Sequence, residues 1–510
     1  MKLSIVKNAS GKSNVSALLF VKQSILFSDV LSDAAEKQVE SVLKGMTDGP
    51  FEDLELLEID GKATLFVNAA KERGISSLDH LRMAAYRLAK RAAQRQIPVV
   101  SIMLADAADE QFKAIAHGLS YADYKFDAYK SKQGKKFSVT FEIVAGEHVE
   151  AFKAIAEYVA VEQTAITLVK NMANTPSADL TPADFVENAK TIAKYTPGLS
   201  IKVRDMKQLE KEGFMGIVTV GKGSSRPPFM VTLSYDGTKG ASSRGKSQRE
   251  KRTSADHLVL VGKGLCFDTG GLCLKTPKAM PEMISDMAGA ATALAVIQAI
   301  ATLKLPLKVS AVLCLAENAI GNQSVLPGEI FTAKNGKTVM VDNTDAEGRL
   351  ALTDGLAEAG LIGATHIVDV ATLTGAMTRA LGFAVAGFFC NDDPLALNII
   401  NCGEACCEKF WSMPLEDEYA DEIKDKFADL KNTGSSAPAI IAALFLKEFV
   451  PADTAWAHLD IAGTAYMTRK WKYSEYGATG FGVQTLIELA RRMSNPTSIS
   501  TDQCSYALQK

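Results

Sequence analysis

The spacing of apolar positions alternates between two periods along the chain. Leu18 to Lys22, Ala63 to Asn68, Pro98 to Leu104 and Phe137 to Val144 are short runs rich in Val, Ile, Leu and Phe, and they predict strands. Between them, Asp33 to Met46 and Leu78 to Gln96 place apolar residues three and four apart with charges elsewhere, the pattern of helices that bury one face. Residues 1–150 therefore read as an α/β layer domain with helices against a mostly parallel sheet. This region holds no glycine-rich phosphate loop and no cluster of acids with histidine, so its expected jobs are packing, assembly or regulation.

Val149 to Ala173 reads as a helix that stops at Asn174-Thr175-Pro176. A new helix starts at Thr181, an N-cap, with Pro182 in its first turn. Residues 151–190 are thus expected to form a connecting helix and junction, and 191–510 a second α/β domain. In that domain Ile201 to Val203, Gly216 to Val220, Phe229 to Tyr235, Leu258 to Val261, Leu307 to Ala316, His366 to Leu373 and Ala384 to Phe389 read as strands. Residues 236–256 interrupt them with a basic segment rich in glycine and serine, expected to be a mobile surface loop between two adjacent strands.

Composition narrows the class. A chain of 510 residues is too long for one core, and 47% hydrophobic with 23% charged residues is ordinary for globular proteins. A net charge of -3 argues against bulk nucleic-acid binding. All eight cysteines follow residue 265 without a CxxC pair, and vicinal Cys406-Cys407 suits no ordinary disulfide. Reduced, mostly structural thiols fit a cytoplasmic protein. The N-terminus reads as a strand, not a signal peptide. No membrane helix is expected, because Asp286 and Gln298 interrupt the longest apolar stretch, and His366, Asp369 and Arg379 the next.

Candidate chemistry lies in two segments. Asn343-Thr-Asp-Ala-Glu-Gly-Arg349 sets Asp345, Glu347 and Arg349 at alternate positions behind a short turn, where two carboxylates on one side repel unless a cation lies between them. Upstream, Val261 to Lys275 carries Lys263, Asp268 and Lys275 in a glycine-rich turn, and Asp286 stands near the start of an alanine-rich segment. If Asp268, Asp286, Asp345 and Glu347 converge, an all-oxygen set suits Mg²⁺, Mn²⁺ or Zn²⁺, and four carboxylates balance two such ions. Paired ions make hydrolysis the natural chemistry. A neutral Lys263 amine can join the ligands, Lys275 can keep its proton and stabilise an oxyanion, and Arg349 suits a small planar anion or a proton-relaying carboxylate.

These segments resemble the signatures of the leucyl aminopeptidase family, the dinuclear-metal cytosol aminopeptidases. Asn174-Thr175-Pro176, Asp369 to Ala376, Trp411 with Met413-Pro414-Leu415, Asp429 to Asn432 and His458 to Gly463 extend the resemblance over roughly residues 165 to 490. The resemblance implies two α/β domains joined by a connecting helix, the first macro-like and the second catalytic, with a central mixed sheet flanked by helices. It implies one metal held by Lys263, Asp268, Asp286 and Glu347, and another by Asp268, Asp345 and Glu347. Lys275 would stabilise the gem-diolate and Arg349 would hold a bicarbonate ion acting as general base. Met283, Asn343, Thr372, Leu373 and Gly375 would line the substrate site, Met283 and Leu373 making an apolar pocket that favours leucine. Peptides with a free N-terminus are the implied substrates and a homohexamer the implied assembly.

Thr269 and Cys273 depart from the serines common in the family, without loss of a ligand. His458 reads as a structural hydrogen-bonding residue. Two other function classes compete: a DNA-binding or regulatory protein, for which the basic 236–256 segment is the local support, and a two-metal phosphatase, disfavoured because no phosphate-cradling loop is present.

Overall fold

The computed structural model describes residues 1–8, 15–21, 24–26, 54–59, 62–68, 76–132, 137–239 and 256–495. The chain divides into two compact units, Met1–Gln163 with Lys470–Glu475, and Thr164–Arg469 with Tyr476–Lys510. The division falls inside one helix, Val149–Asn174. The expected helix Asp33 to Met46 lies outside the described residues.

In the first unit the strands are β1 (Lys2–Val6), β2 (Val15–Val21), β3 (Ser24–Leu26), β4 (Leu54–Ile59), β5 (Lys62–Asn68), β6 (Val99–Met103) and β7 (Thr140–Val144). They pair in the order β1-β7-β6-β2-β5-β4, with β3 beside β2. Among the described residues only the β4–β5 and β2–β3 pairings are antiparallel, so the sheet is mostly parallel, as the alternating pattern predicts. Ser77–Gln94 and Asp109–Tyr121 are its described helices before Val149, and Phe112 stacks on Phe152 with ring centroids 4.1 Å apart.

The second unit is built on β8 (Leu199–Asp205), β9 (Phe229–Asp236), β10 (His257–Asp268), β11 (Lys308–Asn318), β14 (His366–Ala371), β15 (Val385–Cys390), β16 (Lys409–Ser412) and β18 (Ala455–Asp460). A small separate sheet holds β12 (Ile330–Thr332), β13 (Thr338–Met340) and β17 (Leu430–Lys431). The large sheet runs β16-β15-β18-β14-β10-β11-β9-β8, a mixed sheet flanked by helices. Its four central strands, β18, β14, β10 and β11, are mutually parallel. Nearly every residue of β10 is buried; its apolar start, Leu258 to Val261, reads as strand, and the strand continues through Lys263 to Asp268, where the sequence predicts a glycine-rich turn. In open α/β sheets of this kind the carboxyl ends of parallel strands are where ligands bind. Asp268, Asn318 and Asp460 are the last residues of β10, β11 and β18, and Thr372 follows β14.

Glycine sets how closely the next layer approaches. A Cβ on Gly289, in the helix Ala288–Thr302, would meet the Val370 carbonyl oxygen at 2.0 Å. One on Gly262 of β10 would meet Ala290 Cα at 2.4 Å. The helix therefore lies directly on β10 and β14, and Asp286, two residues ahead of it, is held beside Lys263. The helical run Met280–Thr302 is long and apolar enough to cross a membrane by length and composition, but 83% of its apolar window is buried, so it is a core helix.

Three further expectations are corrected. Gly216 to Val220 is helical, within Met215–Gly221, because a short apolar run does not separate buried strand from buried helix. Gly216 abuts the helix Glu347–Leu361, where a Cβ would lie 2.2 Å from the Leu350 carbonyl oxygen, and Ile217 N donates to Asp354 Oδ2 at 2.8 Å. The basic segment joins β9 to β10, which are consecutive in sequence but separated in the sheet by β11; its residues 240–255 lie outside the described set. The alternate spacing does not put Arg349 on the side of Glu347, because both stand in the helix Glu347–Leu361, where residues two apart point about 200° from each other; Asp345 lies ahead of that helix.

Candidate metal centre

Lys263 projects from β10 into a group of buried acids. Its Nζ lies 2.8 Å from Asp286 Oδ2 and 3.0 Å from Glu347 Oε1, and donates to Asp286 Oδ1 at 2.9 Å and the Thr372 carbonyl at 3.0 Å. At the end of the same strand Asp268 meets Lys275, whose Nζ bridges Asp268 Oδ2 at 2.7 Å and Asp345 Oδ1 at 2.5 Å. Asp268, Asp286 and Glu347 offer carboxylate oxygens within 4.8 Å of one another, and all three are buried. Asp345 stands outside that trio, joined to it through Lys275, and is partly exposed.

The electrostatics follow from burial. Among the protein groups alone, burial pushes the Asp286 and Glu347 carboxyls above the usual range, and the charge of Asp268 adds to the rise against the pull of Lys263. Burial opposes the charge on Lys263, but Asp286, Glu347 and Asp268 outweigh it and hold its pKa high; Lys275 is held high in the same way, by Asp268 first. With all four acids ionised, two ammonium groups would leave two negative charges uncompensated, which is why the buried carboxyls hold their protons more tightly without a cation. Glu347 Oε2 and Asp286 Oδ2 are buried with no hydrogen-bond donor, the latter close to Lys263 only as an ion pair. Orphaned buried carboxylate oxygens are costly unless a cation takes them, and an all-oxygen set suits hard or borderline divalent ions. The residues present fit such ions.

The neighbours that hold this group in place carry less visible signals in sequence. Asn318, paired in register with Asp268, donates to Asp268 Oδ1 at 2.8 Å and to the Thr344 carbonyl at 3.0 Å. Thr344 in turn donates to the Gly270 carbonyl at 2.6 Å and accepts the Cys273 N–H at 2.9 Å, so the half-buried Cys273 enters the loop through its backbone. The parallel β13–β17 pair brings Asn432 against the heptad. Its Oδ1 accepts the Asp342 and Asn343 N–H groups, its Nδ2 donates to the Asn343 and Ala346 carbonyls, and its own carbonyl accepts Arg349 Nη1 at 2.8 Å. Arg349 is buried, which brings its pKa down to about 10, and its Nε has no partner. Thr372 Oγ1 donates to Asp286 Oδ1 at 2.7 Å. Asp460 accepts the Leu373 and Thr374 N–H groups, fixing the turn after β14. His458 is fully buried and bonded through Nδ1 to Asp369, which also accepts Trp456 Nε1 at 2.7 Å.

A cavity of about 510 Å³ opens beside Asp345 and Arg349. Asn343, Leu373 and Gly375 line it, together with Ala346, Arg379, Pro438 and Ile441. Met283 and Thr372 are not part of its lining. Met283 lies half-buried in the turn that leads to Asp286, so the expected pocket shared by Met283 and Leu373 is not this cavity.

Residues 167–487 match the model of the cytosol aminopeptidase family, catalytic domain. The chain belongs to the cytosol aminopeptidase family. A probable cytosol aminopeptidase of Solibacter usitatus is 38% identical over 424 residues, 83% of this chain and 85% of that one. Another from Syntrophotalea carbinolica is 39% identical over 383 residues, 74% of each. Among solved structures, a tomato leucine aminopeptidase mutant is similar with a TM-score of 0.82 at 29% identity, covering 96% of both chains. The bottromycin maturation enzyme BotP in complex with Mn is similar with a TM-score of 0.80 at 29% identity, covering 94% of this chain and all of that one. Membership makes the protein a metal-dependent aminopeptidase acting on peptides, and the buried carboxylates lie within the matched residues.

Proposed function

We propose that this cytosol aminopeptidase uses two divalent ions, Zn²⁺, Mn²⁺ or Mg²⁺, to release N-terminal residues, leucine and other large apolar residues foremost. The observation that carries the reading is the buried trio Asp268, Asp286 and Glu347 within 4.8 Å of one another, with Glu347 Oε2 lacking any donor. Asp268, Asp286, Glu347 and Lys263 would hold one ion, and Asp268, Asp345 and Glu347 the other. Bound there, the ions would polarise the scissile carbonyl and activate water. Lys263 carries a proton against these acids and would give it up on joining the ligands.

The rest falls to the chain's own groups. Lys275, kept charged by Asp268 and Asp345, would donate to the oxygen that gains negative charge as the amide carbon becomes tetrahedral. Arg349, anchored on Asn432 with Nε still to donate, would hold a planar anion such as bicarbonate to accept the proton of the attacking water. A free α-amine could join the ligands of one ion through its lone pair, which supports removal of terminal residues over internal cleavage. Met283 supports the apolar preference on one flank, with Thr372 beside Asp286; the cavity lined by Asn343, Leu373 and Gly375 would take the leaving residue on the other. A homohexamer in the cytoplasm is the assembly and location that go with the family reading.

Hydrolysis of leucyl-p-nitroanilide tests this. It should require added divalent metal and fall roughly a hundred- to a thousandfold in Asp345→Ala and in Lys275→Ala, on the order of removing a principal electrostatic group. Activity retained after chelation would sink the reading.

A further inference from the structure

The cavity beside Asp345 contains one cation that the hydrolytic chemistry does not use. Arg379, exposed on the helix Gly375–Leu381, contributes to its wall, and its Nη1 lies 3.8 Å from where a Cβ on Gly375 would stand. Its guanidinium makes no hydrogen bond or ion pair with any described residue. The single carboxylate lining the cavity, Asp345, is already engaged by Lys275. Arg349, the other guanidinium on the wall, is fixed to Asn432. The remaining walls combine apolar Leu373, Ala376, Pro438 and Ile441 with the uncharged polar Asn343, Thr374 and Thr433. A cleft of mixed polarity whose wall carries an unpaired planar cation suits a carboxylate, which a guanidinium fork grips with two parallel hydrogen bonds.

We infer that Arg379 is a specificity-determining residue that selects peptides carrying a carboxylate on the leaving residue. The inference rests on the reading that this cavity receives the leaving side of the scissile bond. Two sources supply that chemistry: the terminal carboxylate of a dipeptide, or the side chain of an acidic second residue. Arg379 takes no part in bond making, so its contribution is a difference between substrates.

The test compares kcat/KM within matched pairs on the metal-loaded enzyme. Leu-Gly against Leu-Gly-amide reads the terminal carboxylate, and Leu-Glu-amide against Leu-Gln-amide the side chain. The carboxylate-bearing member of at least one pair should be favoured roughly three- to tenfold, a span set by a partly exposed, charge-assisted pair. That ratio should fall towards one in Arg379→Met and below one in Arg379→Glu, and whichever pair responds names the source. With wild type alone the ratio should shrink as ionic strength rises, which keeps the test alive if a variant fails to fold. Ratios at or below one in wild type, or ratios unmoved in both variants, overturn the inference. A preference for Glu-Gly-amide over Gln-Gly-amide with neither leaving-side pair responding overturns it too, by placing the cavity on the other flank. Wild type that cleaves no leucyl substrate would instead defeat the aminopeptidase mechanism from which the inference starts.

Discussion

Asp354 lies fully buried on the helix Glu347–Leu361, with Oδ2 accepting the Ile217 N–H and Oδ1 unpartnered. Burial pushes its carboxyl up to about 8, against the pull of the Ile217 and Gly216 N–H groups. A raised folded pKa means that the folded chain keeps a proton which the unfolded chain loses near pH 4. Its contribution to stability is therefore complete below about pH 4, declines as pH rises, and levels off above about pH 8. Asp354→Asn should flatten the fall in melting temperature between pH 5 and 8; the slope removed is at most about 1.4 kcal/mol per pH unit. Parallel curves for the two proteins would contradict the assignment. Asn318 offers a second test at this scale, since it holds Asp268 by one amide hydrogen bond. Asn318→Ala should weaken metal affinity roughly 10–100-fold, the usual cost of losing the group that orients a ligand; a chelator competition titration measures it, and unchanged affinity would show that Asp268 needs no such support. The acids were legible in sequence because each stands beside glycine or at an element's edge. Asn318, Thr344 and Asn432 were not, because an amide or hydroxyl acting through a neighbour leaves no spacing signature. Only the β10–β11 register, which sets Asn318 opposite Asp268, reveals the first of them.

Among the elements, the parallel centre of the large sheet and the helix seated on it place the chemistry. Gly289→Ala would drive a methyl group into the Val370 carbonyl and lift the helix that follows Asp286. Destabilisation of about 1–3 kcal/mol is expected, the range for overpacking, together with weakened metal binding, both readable from melts with and without added metal. An unaltered melt would mean that the helix has room to shift. The apolar runs at β9, β11 and β14 match their strands closely, whereas only the start of β10 was legible, because Gly262, Lys263 and Gly264 interrupt its apolar run. Gly216 to Val220 failed because four or five apolar residues fit either element, and the contact that decides, Gly216 on Leu350, spans 134 residues of sequence. In the heptad Glu347 begins a helix, so Glu347 and Arg349 turn to Lys263 and Asn432, while Asp345, ahead of the helix, meets Lys275.

For the whole molecule, charge buried without full compensation makes stability depend on bound ions. Excess divalent metal should raise the melting temperature in line with a free-energy gain of RT ln(1 + [L]/Kd), about 2.7 kcal/mol at a hundredfold excess over Kd. Chelation should reverse that gain and abolish activity together; loss of activity with no change in the melt would separate the metal from the buried acids. Light scattering on the purified protein tests the hexamer. The central claim, that acids from three separated stretches of the chain hold a pair of ions, is tested most directly by anomalous diffraction from crystals grown with Mn²⁺. Two peaks are predicted among Asp268, Asp286, Asp345 and Glu347, with Lys263 Nζ turned to one of them. A fully active crystalline enzyme with no peak there, or with its only peaks elsewhere, would contradict it.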